Sequence, residues 1–177
     1  FPNDTNVHFV ELIDKSNIKV KVWERACGPT LACGTGACAC LVVTSKLDKT
    51  LDVYAASMGN PHMIIFVNNI EEIPFEEWGR CLEKHNTFPN DTNVHFVELI
   101  DQSNIKVKVW ERGCGPTLAC GTGACACLVV ASKLDKTLNK ANVFLPGGKL
   151  IIEWPNQSGP VYMKGPALKV FSGVINI

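Results

Sequence analysis

The sequence lacks an excess of either charge. Lys and Arg number 17, and Asp and Glu also number 17, among 177 residues, so the charge balance does not indicate a partner as highly charged as nucleic acid. No apolar run reaches the roughly 18–20 residues that a membrane helix needs. With 46% apolar residues, the composition is that of one or two ordinary globular domains. We therefore expect no nucleic-acid partner and no membrane partner.

The motif Cys-x-x-Cys is also absent, although the chain holds nine cysteines. Most of them follow the spacing C-x5-C-x4-C-x-C, which occurs twice, at Cys27, Cys33, Cys38, Cys40 and at Cys114, Cys120, Cys125, Cys127. Zinc sites usually contain C-x2–4-C pairs, and disulfide scaffolds are usually shorter and less apolar than this chain. We therefore expect a reducing compartment and no bound metal.

The cysteine spacing recurs because a longer segment occurs twice in the sequence. Residues 1–51 and 88–138 differ at three of 51 positions. The differing pairs are Lys15/Gln102, Ala26/Gly113 and Thr44/Ala131. Solenoid repeats are shorter and less alike, so this pattern indicates a recent segmental duplication or an engineered repeat. We expect a partial duplicate lobe over 1–56 and a complete lobe over 57–177.

Each copy begins with a predicted β-hairpin and continues into a predicted helix. In the second copy, residues 93–100 and 104–112 alternate β-forming residues with polar ones, and the residues between them favour a turn. Gly115, Pro116 and Thr117 break the second strand. The small residues that follow predict a tightly buried helix that begins near Cys120.

The rest of the chain predicts short strands and one more helix. Residues 142–154 indicate a hairpin, 160–175 two more short strands, 57–67 a turn leading into a strand, and 75–85 a short amphipathic helix. Many short strands around one apolar helix are typical of an α+β fold. We therefore expect a lobe of short strands wrapped round a central helix.

Cys120 is the candidate reactive residue of the predicted fold. A thiol in the first turn of a helix lies near unpaired N–H groups and the positive end of the helix dipole, which favour the thiolate. We expect Cys120 to be the most reactive thiol of the lobe, with Gly121, Thr122 and Gly123 forming an anion cradle. The competing interpretation is a tight packing motif with an inert thiol. Cys125 and Cys127, deeper in the helix, are expected to be core residues.

Four stretches of residues 57–177 together carry a family resemblance. They are SMGNPH, FPNDTNVHFVE, VWERGCGPTLACGTGACA and LPGGKLIIEW followed by VYMKGPALKVFSG. In their order and spacing this region resembles the C-terminal lobe of diaminopimelate epimerase. The resemblance implies an isomerase of lysine biosynthesis that interconverts LL- and meso-diaminopimelate without pyridoxal phosphate or any other cofactor. It also implies that two cysteines, one on each lobe, act as thiolate base and thiol acid.

The resemblance also assigns residues. It implies a catalytic thiol at Cys120, and Cys33 matches the thiol of the first lobe through the pseudo-symmetry of the two lobes. The substrate-binding positions that it implies are Asn60, Asn93, Glu111, Arg112, Gly121 and Thr122, with His62 as a supporting histidine near the thiols. Diaminopimelate is the implied small-molecule partner, and the implied location is the bacterial cytoplasm or the plastid stroma.

The first lobe departs from the family. In the family it carries motifs like HGxGNDF and CGNG, and neither occurs in this sequence. Two alternatives therefore stay open: a catalytically incomplete lobe or rearranged fragment with structural cysteines only, and a proline-racemase-like isomerase of the same broad fold. We expect 1–51 to pack against 88–138 so that Cys33 faces Cys120. The exposed strand edges and apolar helix face of 1–51 would favour self-association, including a homodimer.

Overall fold

The computed structural model describes residues 7–14, 17–24, 28–30, 39–44, 50–169 and 171–175. In the first copy it gives strands β1 (Val7–Asp14), β2 (Asn17–Glu24), β3 (Gly28–Thr30) and β4 (Ala39–Thr44). The remaining strands are β5 (Thr50–Ser57), β6 (Pro61–Val67), β7 (Asn93–Asp101), β8 (Asn104–Glu111), β9 (Gly115–Thr117), β10 (Lys140–Leu145), β11 (Gly148–Glu153) and β12 (Tyr162–Lys164). The helices are α1 (Phe75–Glu83), α2 (Gly121–Lys133) and a short 3-10 turn at Pro155–Gln157.

These strands form two sheets. β1, β2 and β3 make a three-stranded antiparallel sheet. The other nine form a mixed sheet in the order β12-β11-β10-β8-β7-β6-β5-β4, with β9 paired to β8. Within the larger sheet β6 runs parallel to β7 and β8 parallel to β10, and the other neighbours are antiparallel.

The larger sheet separates two apolar clusters because successive side chains of a strand point to opposite faces. On β6, Met63 and Ile65 belong to the cluster that contains Trp78 of α1, whereas Ile64 belongs to the cluster around α2. On β7, Phe96 faces the α1 cluster in the same way. The sheet therefore lies between the two helices.

The central helix α2 contains few bulky residues and few charged residues. Nine of its positions, from Gly123 to Ser132, are buried, and the small Gly and Ala residues of its first half allow close approach to the sheet. It packs against β5, β6, β7, β10 and β11. In the described part of the chain, neither helix combines the length and the apolar character that crossing a bilayer requires.

Most of the predicted elements are confirmed. The α+β fold, the hairpin of β7 and β8, the helix that begins near Cys120 and the hairpin of β10 and β11 are all present. So are the strand β6 after its turn and the short helix α1. One of the two strands predicted in 160–175 is β12, but the described residues after Lys164 form no strand, so that second prediction is wrong. The strands β5 and β9 were not predicted. β9 consists of Gly115–Thr117, the residues expected only to break a strand, and it pairs with β8.

The first copy gives the larger correction. Its residues 39–43, Ala-Cys-Leu-Val-Val, form most of strand β4, whereas the same five residues at 126–130 form part of helix α2. β4 pairs with β5 from Ala39–Ala55 to Thr44–Thr50. The place against the sheet is occupied by α2, and Leu and β-branched Val also suit a strand, so context decides between the two structures. The helix expected at this position in the first copy is therefore wrong.

Candidate active site

The ends of three strands and the start of one helix meet at one edge of the larger sheet. β6 and β7 begin side by side, with His62 opposite Asn93. Because β8 is antiparallel to β7, its end at Glu111 lies at the same edge. β9 and a short connection then lead to Cys120, the N-cap residue of α2. Side chains that are far apart in sequence therefore meet here.

Two buried histidines are hydrogen-bonded to each other at this edge. His62 and His95 are both 0% exposed, and His62 Nδ1 lies 2.8 Å from His95 Nε2. His62 Nε2 lies 3.0 Å from Asn60 Oδ1. An amide oxygen only accepts hydrogen bonds, so Nε2 of a neutral His62 donates to it and Nδ1 accepts from the Nε2–H of His95. Nδ1 of His95 is then left as a lone pair, and it has no hydrogen-bond partner among the described residues.

Burial keeps both rings neutral. It lowers the pKa of His62 from its usual 6.5 to about 4. The pKa of His95 is lowered well below its usual value, first by burial and then by the nearby His62. Both imidazoles are therefore uncharged at neutral pH, and the pair can donate or accept hydrogen bonds without adding charge to the site.

The Cys120 thiol is buried, which reverses the expectation of a ready thiolate. The residue is 8% exposed, and its Sγ lies 3.6 Å from Thr122 Oγ1. Burial raises the pKa of Cys120; hydrogen bonds from Thr122 and the Gly123 N–H lower it in part, and the Glu111 carboxylate raises it further. The helix start therefore does not outweigh desolvation, and the resting form is the protonated thiol.

Two substrate-binding residues of the prediction hold the backbone together. Asn93 Nδ2 donates to the Pro61 carbonyl at 2.9 Å, and Asn93 Oδ1 accepts from the Arg112 N–H at 3.1 Å. This amide therefore fixes β6 and the end of β8 to the start of β7. The exposed Arg112 guanidinium donates to the Asn90 carbonyl at 3.0 Å.

Glu111 interacts with Cys120 and also lines an open cleft. Its Oε1 accepts a hydrogen bond from Thr117 Oγ1 at 2.6 Å. The cleft has a volume of about 760 Å³ and is lined in part by Phe75, Lys108, Glu111, Thr117, Leu118 and Ala119. Because Ala119 immediately precedes Cys120, this cleft reaches the chain beside the thiol.

The two glycines of the expected anion cradle differ. A Cβ on Gly121 would lie 3.2 Å from the Cε and Sδ atoms of Met163, which is the flexible end of an exposed side chain. A Cβ on Gly123 would lie only 2.0 Å from Cε1 of His95. Gly123 therefore makes room for the His95 ring and not for a ligand, contrary to the sequence expectation.

The other cysteines divide by burial. Cys127 is 0% exposed and belongs to the apolar cluster around α2, so the prediction of a core residue is confirmed for Cys127. Cys125 is half-buried and packs against that cluster without being one of its buried residues. Cys114 is exposed. Cys33 and its predicted position opposite Cys120 lie outside the described residues.

The structure thus assembles a site around Cys120 that includes one residue the sequence analysis did not single out. Potential metal-ligand atoms of His62, His95 and Cys120 all lie within 4.8 Å of one another. The signal for His95 is its place in β7, two residues after Asn93, where alternation puts it on the same face as Val97 and towards α2. A single histidine in an apolar strand does not reveal that partnership by itself.

The matching family model and the curated relatives name one family. A family model described as diaminopimelate epimerase matches residues 1–52 and 54–170. A curated diaminopimelate epimerase of Prochlorococcus marinus (strain NATL1A) is 82% identical over 136 residues, which are 77% of this chain and 48% of that protein. The one of Methanococcus maripaludis (strain C5 / ATCC BAA-1333) is 51% identical over 135 residues, 76% of this chain and 48% of that protein. The chain spans about half the length of the curated relatives it matches.

Among solved structures, a phenazine biosynthesis protein of the PhzF family from Bacillus anthracis aligns with a TM-score of 0.48 at 20% identity. The alignment covers 65% of this chain and 40% of that chain.

Proposed function

The chain belongs to the diaminopimelate epimerase family, and on that premise we propose that it interconverts LL- and meso-diaminopimelate by cofactor-independent proton transfer between two cysteines. The observation that carries the proposal is the buried Cys120 thiol at the N-cap of α2. Its raised pKa keeps the proton on Sγ until a carbanion-like centre comes within reach. Cys120 is therefore suited to act first as the thiol acid.

Inversion needs a second group, because one side chain cannot reach both faces of a fixed α-carbon. We assign the thiolate base to Cys33, which removes the α-proton from one face while Cys120 Sγ–H delivers a proton to the other. After the transfer the Cys120 sulfur is a thiolate, and the Thr122 hydroxyl and the Gly123 N–H stabilise it. The reverse reaction then uses the two cysteines in exchanged roles.

The substrate's charged groups find complementary groups at this edge. The N–H groups of Gly121 and Thr122 begin α2, where no preceding helical turn offers carbonyl partners, so they suit the α-carboxylate. The Glu111 carboxylate suits an ammonium group, and the exposed Arg112 a second carboxylate. Asn60, Asn93 and His62 complete the proposed binding site by holding these elements in register.

The wider assignments follow from the same proposal. We assign 1–56 to a partial duplicate lobe, of which 1–51 packs against 88–138, and 57–177 to the complete C-terminal lobe. We assign diaminopimelate as the small-molecule partner, a homodimer as the assembly, and the bacterial cytoplasm or the plastid stroma as the location. β4 and all but the last residue of β5 lie within 1–56, and these strands extend the sheet of the complete lobe through β6.

The test is isotope exchange with each pure stereoisomer in D2O. We expect the α-proton signal to disappear and the other isomer to accumulate, because the incoming hydrogen comes from a thiol that exchanges with solvent. Cys120→Ser and Cys33→Ser should each abolish inversion. The matched control is Cys114→Ser, which removes an exposed thiol and should leave the rate unchanged.

The alternative is a catalytically incomplete lobe with structural cysteines only. It is favoured by residues 1–51, which repeat the second copy and do not carry the HGxGNDF-like and CGNG-like motifs. A folded chain that exchanges no α-proton of either isomer would establish this alternative. Exchange without inversion would instead show that one thiol works without its partner.

A further inference from the structure

Three side chains that bind transition metals meet at the start of α2. They come from separate elements: His62 from β6, His95 from β7 and Cys120 from the N-cap of α2. One potential ligand atom of each lies within 4.8 Å of the other two, and all three residues are buried. We propose that this trio binds a divalent transition-metal ion of the Zn²⁺ type, and that the ion blocks the thiol instead of taking part in the reaction.

The second observation is the unpartnered nitrogen of His95. Nδ1 of this fully buried ring has no hydrogen-bond partner among the described residues. The nitrogen of His95 that faces His62 is Nε2, 2.8 Å from His62 Nδ1, so an ion held by both rings takes the place of the proton between these two nitrogens. The unpartnered Nδ1 is free to take that proton, which keeps the His95 ring neutral. The Cε1 edge of the ring faces Gly123 in the first turn of α2, so the His95 ring lies next to the turn that Cys120 caps.

The distances require only a modest contraction. Zn–N bonds of about 2.0–2.1 Å and Zn–S bonds of about 2.3 Å place the ligand atoms of a tetrahedral site roughly 3.3–3.8 Å apart. The facing nitrogens of His62 and His95, 2.8 Å apart, would move apart slightly. The Cys120 sulfur, within 4.8 Å of one nitrogen of each ring, would approach them by about 1.5 Å or less. His62 becomes a ligand by giving up one of its two hydrogen bonds. The Cys120 S–H bond breaks as the sulfur–metal bond forms, and its proton passes to solvent.

The donor set also selects the ion. Two imidazole nitrogens and one thiolate favour Zn²⁺ over Mg²⁺ and Ca²⁺, which prefer oxygen ligands. Three protein ligands leave a fourth position for water. An ion bound here would neutralise the thiolate and keep it from reacting with a substrate. The ion would therefore inhibit the reaction and would not act as a cofactor.

The duplication supplies an internal control. The first copy carries His8 where the second carries His95, and Cys33 where the second carries Cys120. The chain has four histidines, His8, His62, His85 and His95, and the motif GNPH that contains His62 occurs once. The first copy therefore lacks a His62 of its own, and substitutions at matching positions of the two copies should have unequal effects.

The test is a titration of the reduced full-length chain with Co²⁺, which occupies zinc sites and absorbs visible light. We expect one ion to give the intense d–d bands of a tetrahedral site and a sulfur-to-cobalt band in the near ultraviolet. Cys120→Ser should abolish the sulfur-to-cobalt band, and His95→Asn and His62→Asn should each weaken binding by about tenfold or more. The matched controls His8→Asn and Cys114→Ser should bind as the parent chain does.

Two results of the cobalt titration would overturn the proposal. One is the absence of tetrahedral bands up to about 1 mM Co²⁺, because a specific site of this kind would be occupied at that concentration. The other is a sulfur-to-cobalt band that survives Cys120→Ser or is lost in Cys114→Ser. If His95→Asn fails to fold, as circular dichroism would show, alkylation of the parent chain decides: Zn²⁺ should protect Cys120 and leave the rate at exposed Cys114 unchanged. Equal protection of both thiols would refute the site.

Discussion

At the scale of single residues, the contact between Gly123 and His95 explains much of the site. The ring occupies the space where any other residue would place its Cβ, 2.0 Å from Cε1. This fit sets how closely α2 approaches β7 and therefore where Cys120 lies relative to the histidine pair. The first turn of the helix is thus positioned by packing as well as by its hydrogen bonds.

Replacing Gly123 by Ala should therefore destabilise the protein. Overpacking costs about 1–3 kcal/mol, whereas Ala in a helix otherwise gains up to about 1 kcal/mol over Gly. We expect a net loss in the free energy of unfolding of about 1–2 kcal/mol, measured by urea denaturation. Gly121→Ala is the matched control: it contacts only the flexible end of Met163 and should cost less than about 0.5 kcal/mol. Equal losses in the two variants would contradict this assignment.

The buried histidine pair predicts a loss of stability in mild acid. Below pH 6.5 the unfolded chain takes up a proton on His62, whereas the folded protein does so only near pH 4. The unfolded state therefore binds more protons between these values, and the free energy of unfolding falls as the pH falls through them, by about 3 kcal/mol from His62 alone. His95 acts in the same direction.

Urea midpoints at pH 7.5 and pH 5 measure this effect. The parent chain should lose stability across this interval, and His62→Gln, although less stable at pH 7.5, should lose less between the two pH values. His8→Asn serves as the control for an unrelated histidine. A parent chain with the same midpoint at both pH values would show that the pair is not buried as described.

Much of this site can be predicted from the sequence, but the direction in which the pKa of Cys120 shifts cannot. The position of Cys120 at a helix start follows from the run of small residues that begins at Gly121, although Gly115–Thr117, expected to break a strand, form strand β9. The burial that raises its pKa depends on residues from β6, β7 and β8, which no local pattern near Cys120 contains. The same holds for His95, whose partner is 33 residues away.

At the scale of secondary-structure elements, the two copies show how far context overrides local sequence. Residues 39–43 lie in strand β4 and the identical residues 126–130 in helix α2. β4 is an edge strand with β5 as its single neighbour in the sheet order. α2 lies in the apolar cluster, with Leu128 and Val130 both 0% exposed. Packing against the sheet therefore stabilises one copy as a helix and pairing with β5 the other as a strand.

Amide hydrogen exchange should distinguish the two copies. Amides of 126–130 are bonded within a buried helix, whereas an edge strand leaves about half of its N–H groups without a strand partner. We expect peptides ending at Ala131 to exchange at least about tenfold more slowly than those ending at Thr44. Thr44 and Ala131 give the two peptides different masses, so mass spectrometry separates them. Equal exchange would mean that both copies are equally protected.

Hairpins and amphipathic helices could be predicted because their signals are local. The alternation in 93–100 and 104–112 and the turn between them fix β7 and β8 without any tertiary information. β5 carries no comparable turn signal before it, and its place is set by pairing with β4 and β6. The missing second strand in 160–175 likewise depends on a pairing partner that the described residues do not supply.

At the scale of the whole molecule, the segment after β12 exposes a row of large apolar side chains. Leu168, Phe171, Val174 and Ile175 are 86%, 83%, 94% and 86% exposed. An exposed row of this kind favours association, because burying apolar surface gains about 25 cal/mol for each Å². We expect the chain to self-associate as its concentration rises.

Sedimentation velocity at increasing concentration measures that association. The double variant Leu168→Ser and Phe171→Ser should remain monomeric to concentrations at least about tenfold higher than the parent chain. Lys169→Ser, in the same segment, is the control for a change of sequence without a loss of apolar surface. Unchanged association in the double variant would assign self-association to another surface, such as the edge of β4.

The repeated segment allows the influence of a sequence and the influence of its surroundings to be measured separately within one molecule. A scan that introduces every amino acid at 39–43 and at 126–130 starts from the same five letters in the same chain. Strand-favouring and helix-favouring substitutions should then receive opposite scores at the two places. The difference between the two score tables would measure what the surroundings specify, free of any contribution from the segment itself.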